Sequence, residues 1–132
     1  GDIGEVVERD LLRRDAAAVR ADVVLVAHHG SAESSDPDFV AATGASHALL
    51  STGHGNRFGH PKPDVVARWR QAGARVHGTA DGGALRVRLQ AGGITVESRR
   101  QSHPRAWDAV RRQRRQAGEG TGQAALVSYR PD

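Results

Sequence analysis

The chain has 132 residues and a formal net charge of +4, and it contains no cysteine. This length is typical of one domain, and the lack of cysteine excludes disulfide scaffolds, cysteine-ligated zinc sites and thiol catalysis. Leu, Ile, Val and Phe make up about a fifth of the residues, which lies near the lower limit for a globular core. Residues 1–98 hold 11 basic and 12 acidic side chains, and residues 99–132 hold 8 and 3. The positive charge therefore belongs to the C-terminal segment.

These two segments are predicted to differ in structure. Residues 1–98 carry most of the large apolar side chains and are predicted to fold, whereas residues 99–132 are predicted to form an Arg-rich helix over 104–116 and a flexible tail. No apolar run is long enough to predict a transmembrane helix. The chain contains no Met and starts Gly1-Asp2-Ile3, which predicts that it was processed or cut from a longer protein.

The first predicted elements, in chain order, are a helix, a strand and a second helix. Apolar residues recur at helical spacing over residues 3–14. A run of β-branched residues over 22–27 predicts a buried strand, which ends in the polar turn His28-His29-Gly30-Ser31. The second helix is predicted to start at a Ser35 cap and to end at Gly44.

The remaining elements complete an alternating pattern. A strand over 46–51 leads into a glycine-rich loop and then into a helix over 63–72. Three further strands are predicted over 75–78, 84–89 and 93–98, with a hairpin turn between the last two. This order predicts a mixed α/β fold whose sheet has antiparallel edge strands, and it leaves the strand pairing open.

Histidine placement is the most informative feature of the sequence. Four of the seven histidines follow predicted strands, His28 and His29 in one loop and His54 and His60 in another. Loops at the carboxyl ends of strands commonly carry sites in α/β folds, and imidazole is a common metal ligand. Asp2 could add a carboxylate to these imidazoles. The alternative to metal ligation is that Asp2 caps the first helix and that His28 and His29 are surface turn residues.

Other polar residues have weaker signals. The glycine-rich loop matches neither of the common nucleotide-binding motifs, yet its backbone amides could bind a phosphate with help from Asn56 and Arg57. The sequence fits a mobile loop that binds no ligand equally well. His47 lies among apolar neighbours on a strand and is predicted to be a packed or edge histidine.

Three motifs together resemble a known family. They are Gly1-Asp2-Ile3 before a helix, His28-His29-Gly30-Ser31 after a strand, and Asn56-Arg57-Phe58-Gly59-His60-Pro61 before another helix. In this order and spacing, residues 1 to about 98 resemble the C-terminal half of the metallo-β-lactamase-like domain of ComEC-type DNA-internalisation competence proteins.

The resemblance implies a fold, a metal site and a substrate. The fold would be half of an αββα sandwich, in a soluble domain of a bacterial inner-membrane protein. Two divalent metal ions, zinc or manganese, would be held partly by Asp2 as the bridging ligand and His28 as a terminal ligand. His29 and His60 would act as catalytic groups, either by supporting the metal ligands or by facing the substrate. The implied reaction is metal-dependent hydrolysis of a phosphodiester in DNA during uptake.

One departure from the family limits this expectation. The His-x-His-x-Asp-His motif of the family's first half does not occur in this sequence. We therefore expect the chain alone to bind metal weakly and not to catalyse. Its expected partners are DNA, the missing N-terminal half of the same domain, or a second copy of the chain that covers the open half-sandwich.

Two alternative functions remain open from the sequence. The chain could be half of another hydrolase of the metallo-β-lactamase superfamily. It could instead be a non-enzymatic module whose Arg-rich helix binds nucleic acid through its phosphates, with a solvated tail as the simpler interpretation of the same charges.

Overall fold

The computed structural model of the protein describes residues 1–105. Its helices are α1 Glu5–Arg14, α2 Pro37–Thr43, α3 Pro63–Gln71, α4 Thr79–Gly82 and α5 Arg99–Ser102. Its strands are β1 Val23–Leu25, β2 His47–Leu50, β3 Arg75–Gly78, β4 Leu85–Gln90 and β5 Gly93–Ser98. The predicted mixed α/β class is confirmed, with two short helices added. The Arg-rich helix and the tail predicted beyond residue 105 lie outside the described residues.

The first three strands form a parallel sheet in the order β1-β2-β3. Ala48 on the central strand stands beside Val24 and Val76 in the register of the sheet. This face is covered by α2 and α3, and the buried core is Val26, Val40, Ala45, Ala48, Leu50, Val65, Trp69 and Ala74. Because the strands are parallel, the loops after β1 and β2 leave the same edge of the sheet.

The antiparallel strands do not extend this sheet. β4 and β5 form a separate two-stranded sheet, so the expectation of one mixed sheet with antiparallel edges is wrong. The physical reason lies after β3, where the chain enters α4 and then Gly83 with a φ of 72°, a conformation that favours glycine. This turn directs β4 away from the free edge of β3.

Helix α1 is confirmed, but its apolar side chains do not form the core. Val6, Val7 and Leu11 are 75%, 45% and 39% exposed, whereas Glu8 is only 1% exposed. The Glu8 carboxylate accepts hydrogen bonds from the backbone amides of Ser35 and Asp36, at 3.0 and 2.7 Å. The helix is therefore attached through a buried carboxylate. In residues 1–105 no helix has the length and hydropathy needed to cross a membrane.

Helix α2 begins one residue later than predicted. Its cap is Asp36, whose side chain accepts from the amides of Asp38 and Phe39. Burial by itself would raise the pKa of the Asp36 carboxyl, but hydrogen bonds from Arg9 and from these two amides lower the pKa overall. The predicted cap, Ser35, has a φ of 66° and a hydroxyl that accepts a hydrogen bond from the Trp69 indole.

Candidate functional site

Two loops that follow parallel strands carry most of the candidate residues. After β1, residues Ala27–Gly30 form a tight turn in which His28 and His29 have φ values of 49° and 54°. Such left-handed conformations cost a non-glycine residue of order 1–3 kcal/mol each and cluster at functional sites. The second loop, residues 51–62, joins β2 to α3.

Gly30 fixes the two loops against each other. Its carbonyl accepts a hydrogen bond from the amide of Lys62 at 2.8 Å. A Cβ atom placed on Gly30 would lie 2.7 Å from the Cβ of Pro61 and 2.9 Å from a methyl group of Leu50. The backbones therefore approach more closely than any side chain at this position would allow.

His29 is oriented by one contact and faces a carboxylate with the opposite side of its ring. Its Nδ1 lies 2.7 Å from the carbonyl oxygen of Ser51, which can only accept, so Nδ1 carries the proton. Nε2, on the opposite side of the ring, lies 3.8 Å from Oδ1 of Asp2. A histidine that donates its other ring N–H to a backbone carbonyl is the usual arrangement of a metal ligand.

His60 is held by its backbone and leaves its ring available. The side chain of Asn56 donates to the His60 carbonyl at 2.6 Å and accepts from the His60 amide at 3.0 Å. The ring stacks on Phe58, with 6.0 Å between centroids, and meets His28 edge-on at 6.3 Å. Burial, followed by the positive field of Lys62 and the neighbouring histidines, lowers the pKa of His60 and favours its neutral form.

A cleft of about 350 Å³ opens between the loops, and two of its lining residues carry a buried polar atom without a partner. Its lining residues are His29, Ser51, Thr52, Gly53, Asn56, Phe58 and His60. Nδ1 of His60 and Oγ1 of Thr52 are buried, and neither has a hydrogen-bond partner within residues 1–105. Because an unpaired buried polar atom is costly, a bound ligand or water that satisfied them would be stabilised.

The described residues do not complete a metal site. Within residues 1–105 no group of three His, Cys, Asp or Glu side chains is placed to hold one ion, and catalytic zinc sites have three protein ligands. The structure brings Asp2 beside His29, while His28 lies against His60. Asp2 and His28 as metal ligands, and His29 and His60 as catalytic groups, stay predictions.

The remaining loop residues contribute less defined contacts. Nδ1 of His54 lies 4.0 Å from a carboxylate oxygen of Asp81 in α4. Arg57 stacks on the ring of Phe58, with its guanidinium carbon 4.8 Å from the ring centroid. Phosphate binding by this loop also stays a prediction.

A second histidine pair lies on the other face of the sheet, which sequence reasoning did not link. His47 is buried, as predicted, and its Nε2 accepts a hydrogen bond from the Arg75 guanidinium at 3.0 Å. Its Nδ1 must then donate to Nε2 of His77, also at 3.0 Å. The signal that could have revealed this pair is the alternation Arg75-x-His77 on the strand beside His47.

This pair predicts a loss of stability in mild acid. Burial, then neighbouring positive charge, lowers the pKa of both His47 and His77 from 6.5 in the folded chain. The unfolded chain therefore binds more protons as the pH falls below about 6.5, and the free energy of unfolding decreases. Urea midpoints measured between about pH 7.5 and about pH 5.5 should fall for the native chain and less for His47→Gln. An equal fall in both would contradict the assignment.

Comparisons with known proteins reveal similarity to competence proteins. The chain is 31% identical over 97 residues to the competence protein ComA of Neisseria gonorrhoeae, which covers 74% of this chain and 14% of that protein. It is 33% identical over 72 residues to ComE operon protein 3 of Bacillus subtilis (strain 168), which covers 54% of this chain and 9% of that protein.

Both relatives are much longer than the region that matches this chain. No protein-family model matches the chain, and no solved structure matches it. The chain thus spans a small part of each curated relative. The two similarities support the relationship to ComEC-type competence proteins that the sequence motifs predicted, without indicating to which half of a domain the chain corresponds.

Proposed function

We propose that the chain is part of a competence protein that acts in DNA uptake, and that its two histidine loops belong to a metal-dependent phosphodiesterase site. The relative named as a competence protein supports the first part. The observation that carries the second is His29, whose Nδ1 is held by a backbone carbonyl while its Nε2 faces the Asp2 carboxylate. The fold we propose for the complete domain is the metallo-β-lactamase-like αββα sandwich.

Asp2 and His29 are the ligands that this arrangement favours for a divalent ion, zinc or manganese. Atoms 3.8 Å apart can both contact an ion at the usual distance of roughly 2.0–2.2 Å. When bound, the ion would act as a Lewis acid on a phosphodiester oxygen. His60, kept neutral by its surroundings, can accept or donate a proton in the cleft.

The remaining ligands must come from outside residues 1–105, and the exposed apolar surface supports a covering partner. Leu25 on the edge strand β1 is 64% exposed, in addition to Val6 and Val7 on α1. Burial of exposed apolar side chains against another segment is favourable. We propose that the N-terminal half of the same domain covers them; a homo-oligomer of the chain is the alternative.

Zinc titration of single-residue variants tests this ligand assignment. We expect the chain to bind zinc weakly, with the affinity lost in Asp2→Asn and in His29→Ala because each removes one of two ligands. His28→Ala is the matched control, since it removes a neighbouring imidazole that does not face Asp2. Calorimetry would measure all four proteins.

Two outcomes would count against the assignment. Loss of zinc binding in His28→Ala with retention in His29→Ala would restore His28 as the ligand. Unchanged binding in all three variants would remove the metal site from these loops. We expect no DNA cleavage by the chain alone with zinc or manganese, because two protein ligands do not complete a catalytic site.

A further inference from the structure

The β4–β5 hairpin has one apolar face and one basic face. Side chains alternate along a strand, so Arg86 and Arg88 share a face, while Val87 points to the other side and pairs with Val96. On the basic face, the register places Glu97 opposite Arg86. Both arginines are exposed, so this face presents a row of two guanidinium groups.

A groove runs between this basic face and the α5 segment. Its volume is about 680 Å³, and its polar lining residues are Arg86, Arg88, Glu97, Arg99, Ser102 and His103. We call these six residues the arginine groove. Three guanidinium groups there face a single carboxylate, so the groove carries an excess of positive charge.

The pairing inside the arginine groove leaves this charge largely uncompensated. The one carboxylate, Glu97, lies 3.7 Å from the Arg88 guanidinium. In the part of the chain that the structure describes, Arg86 has no ion pair. Arg99 donates to the carbonyl of His103 at 3.1 Å, a neutral partner that leaves its charge intact.

Polar contacts hold the two walls of the groove in place. The Ser98 hydroxyl donates to the carbonyl of Gly82 at 2.7 Å, and the amide of Arg99 donates to the carbonyl of Ala84 at 2.8 Å. Helix α4, which Gly82 ends, is linked to the histidine cleft, because the Thr79 hydroxyl accepts from the amide of Thr52 at 2.8 Å. The arginine groove and the cleft are thus joined by one short helix.

We propose that the arginine groove binds the phosphodiester backbone of nucleic acid; the choice of nucleic acid as the occupant rests on the proposed function. Guanidinium groups bind phosphate oxygens through two parallel hydrogen bonds. The described lining of the groove holds no Phe, Tyr or Trp, and its one aromatic ring is the imidazole of His103, so it offers little surface for base stacking. Binding is therefore independent of base sequence and strongly dependent on salt.

The test compares two variants of the full chain that lose the same charge. One is the double variant Arg86→Gln with Arg88→Gln. The matched control is Arg13→Gln with Arg14→Gln, on the exposed side of α1, where both arginines lie near Asp10. Fluorescence anisotropy would measure binding to labelled single- and double-stranded oligonucleotides across a range of KCl concentrations, in EDTA so that no metal contributes.

We expect the groove variant to bind more weakly and to lose part of its salt dependence. Each phosphate contact contributes roughly 0.7–0.9 to the slope of log K against log salt, so the slope should fall by about 1.4–1.8. The α1 control should keep the slope of the native chain. An equal change in both variants, an unchanged groove variant, or a native chain that does not bind oligonucleotides would each overturn the proposal.

A second arm separates nucleic acid from an anionic membrane. Binding to phosphatidylglycerol vesicles that depends on Arg86 and Arg88, without binding to oligonucleotides, would overturn the assignment. The results of this test and of the zinc titration can be told apart. If zinc binding does not depend on Asp2 and His29 but oligonucleotide binding depends on Arg86 and Arg88, the phosphodiesterase site is contradicted and the groove is retained. If zinc binding depends on Asp2 and His29 but oligonucleotide binding does not depend on the two arginines, only the groove is contradicted.

Discussion

Replacing Glu8 with alanine is expected to lower the free energy of unfolding by about 3–6 kcal/mol, the largest effect predicted for this chain. A hydrogen bond to a charged group contributes roughly 1.5–3 kcal/mol, and the Glu8 carboxylate accepts two, from the amides of Ser35 and Asp36. The substitution leaves both amides buried without acceptors. Urea unfolding followed by circular dichroism would measure the change.

The control for this prediction is Asp10→Ala on the same helix. Asp10 pairs with Arg14 at 2.8 Å, but the Asp10 side chain is 42% exposed, so its loss should change the free energy of unfolding by less than about 1 kcal/mol. Glu8→Gln keeps one acceptor oxygen, so its change in the free energy of unfolding should lie between those of Glu8→Ala and Asp10→Ala. If Glu8→Ala and Asp10→Ala were equally mild, α1 would not be attached through its buried carboxylate.

Replacing Gly30 with alanine is expected to cost about 3 kcal/mol and to disturb the histidine loops. A left-handed conformation costs a residue with a Cβ roughly 1–2 kcal/mol, and Gly30 has a φ of 77°. The new methyl group would also lie 2.7 Å from Pro61, and overpacking typically costs about 1–3 kcal/mol. Chemical denaturation would measure the loss, and the NMR shifts of His29 and His60 would report the displaced loops.

Gly44→Ala separates the two contributions. Gly44 also has a positive φ, of 60°, but nothing lies within 4 Å of a Cβ placed there. This control should lose only the conformational part, roughly 1–2 kcal/mol, and leave the histidine shifts unchanged. Equal losses in the two variants would show that the contact between Gly30 and Pro61 does not constrain the loops.

Local sequence patterns predicted most elements of this fold because their causes are local. The β-branched run after Asp22 and the alternation of Leu85, Val87 and Leu89 each determine a strand through neighbouring residues. The attachment of α1 was not predictable in this way. It depends on amides at Ser35 and Asp36, 27 and 28 residues from Glu8, and no periodicity reports such a partner.

The candidate site, like the fold, was predictable only where local sequence determines it. The rule that sites form at the carboxyl ends of strands predicted His29 and His60 as candidate residues in two loops that follow strands, and the register of the sheet places these loops side by side. The left-handed turn at His28 and His29 determines which of the two side chains faces Asp2. The sequence alone does not predict the conformation of this turn. The pairing of His47 with His77 also required the strand register, which the sequence left open.

The buried carboxylate of Glu8 has a consequence for the start of the chain. Apolar contacts tolerate rotation of a helix about its own axis, whereas two hydrogen bonds to fixed amides do not. The amide of Glu5 adds a third constraint by donating to the carbonyl of Glu33 at 2.9 Å. These contacts fix the rotation of α1 and therefore the position from which the chain leaves its N-terminus toward Asp2, whose carboxylate lies 3.8 Å from Nε2 of His29.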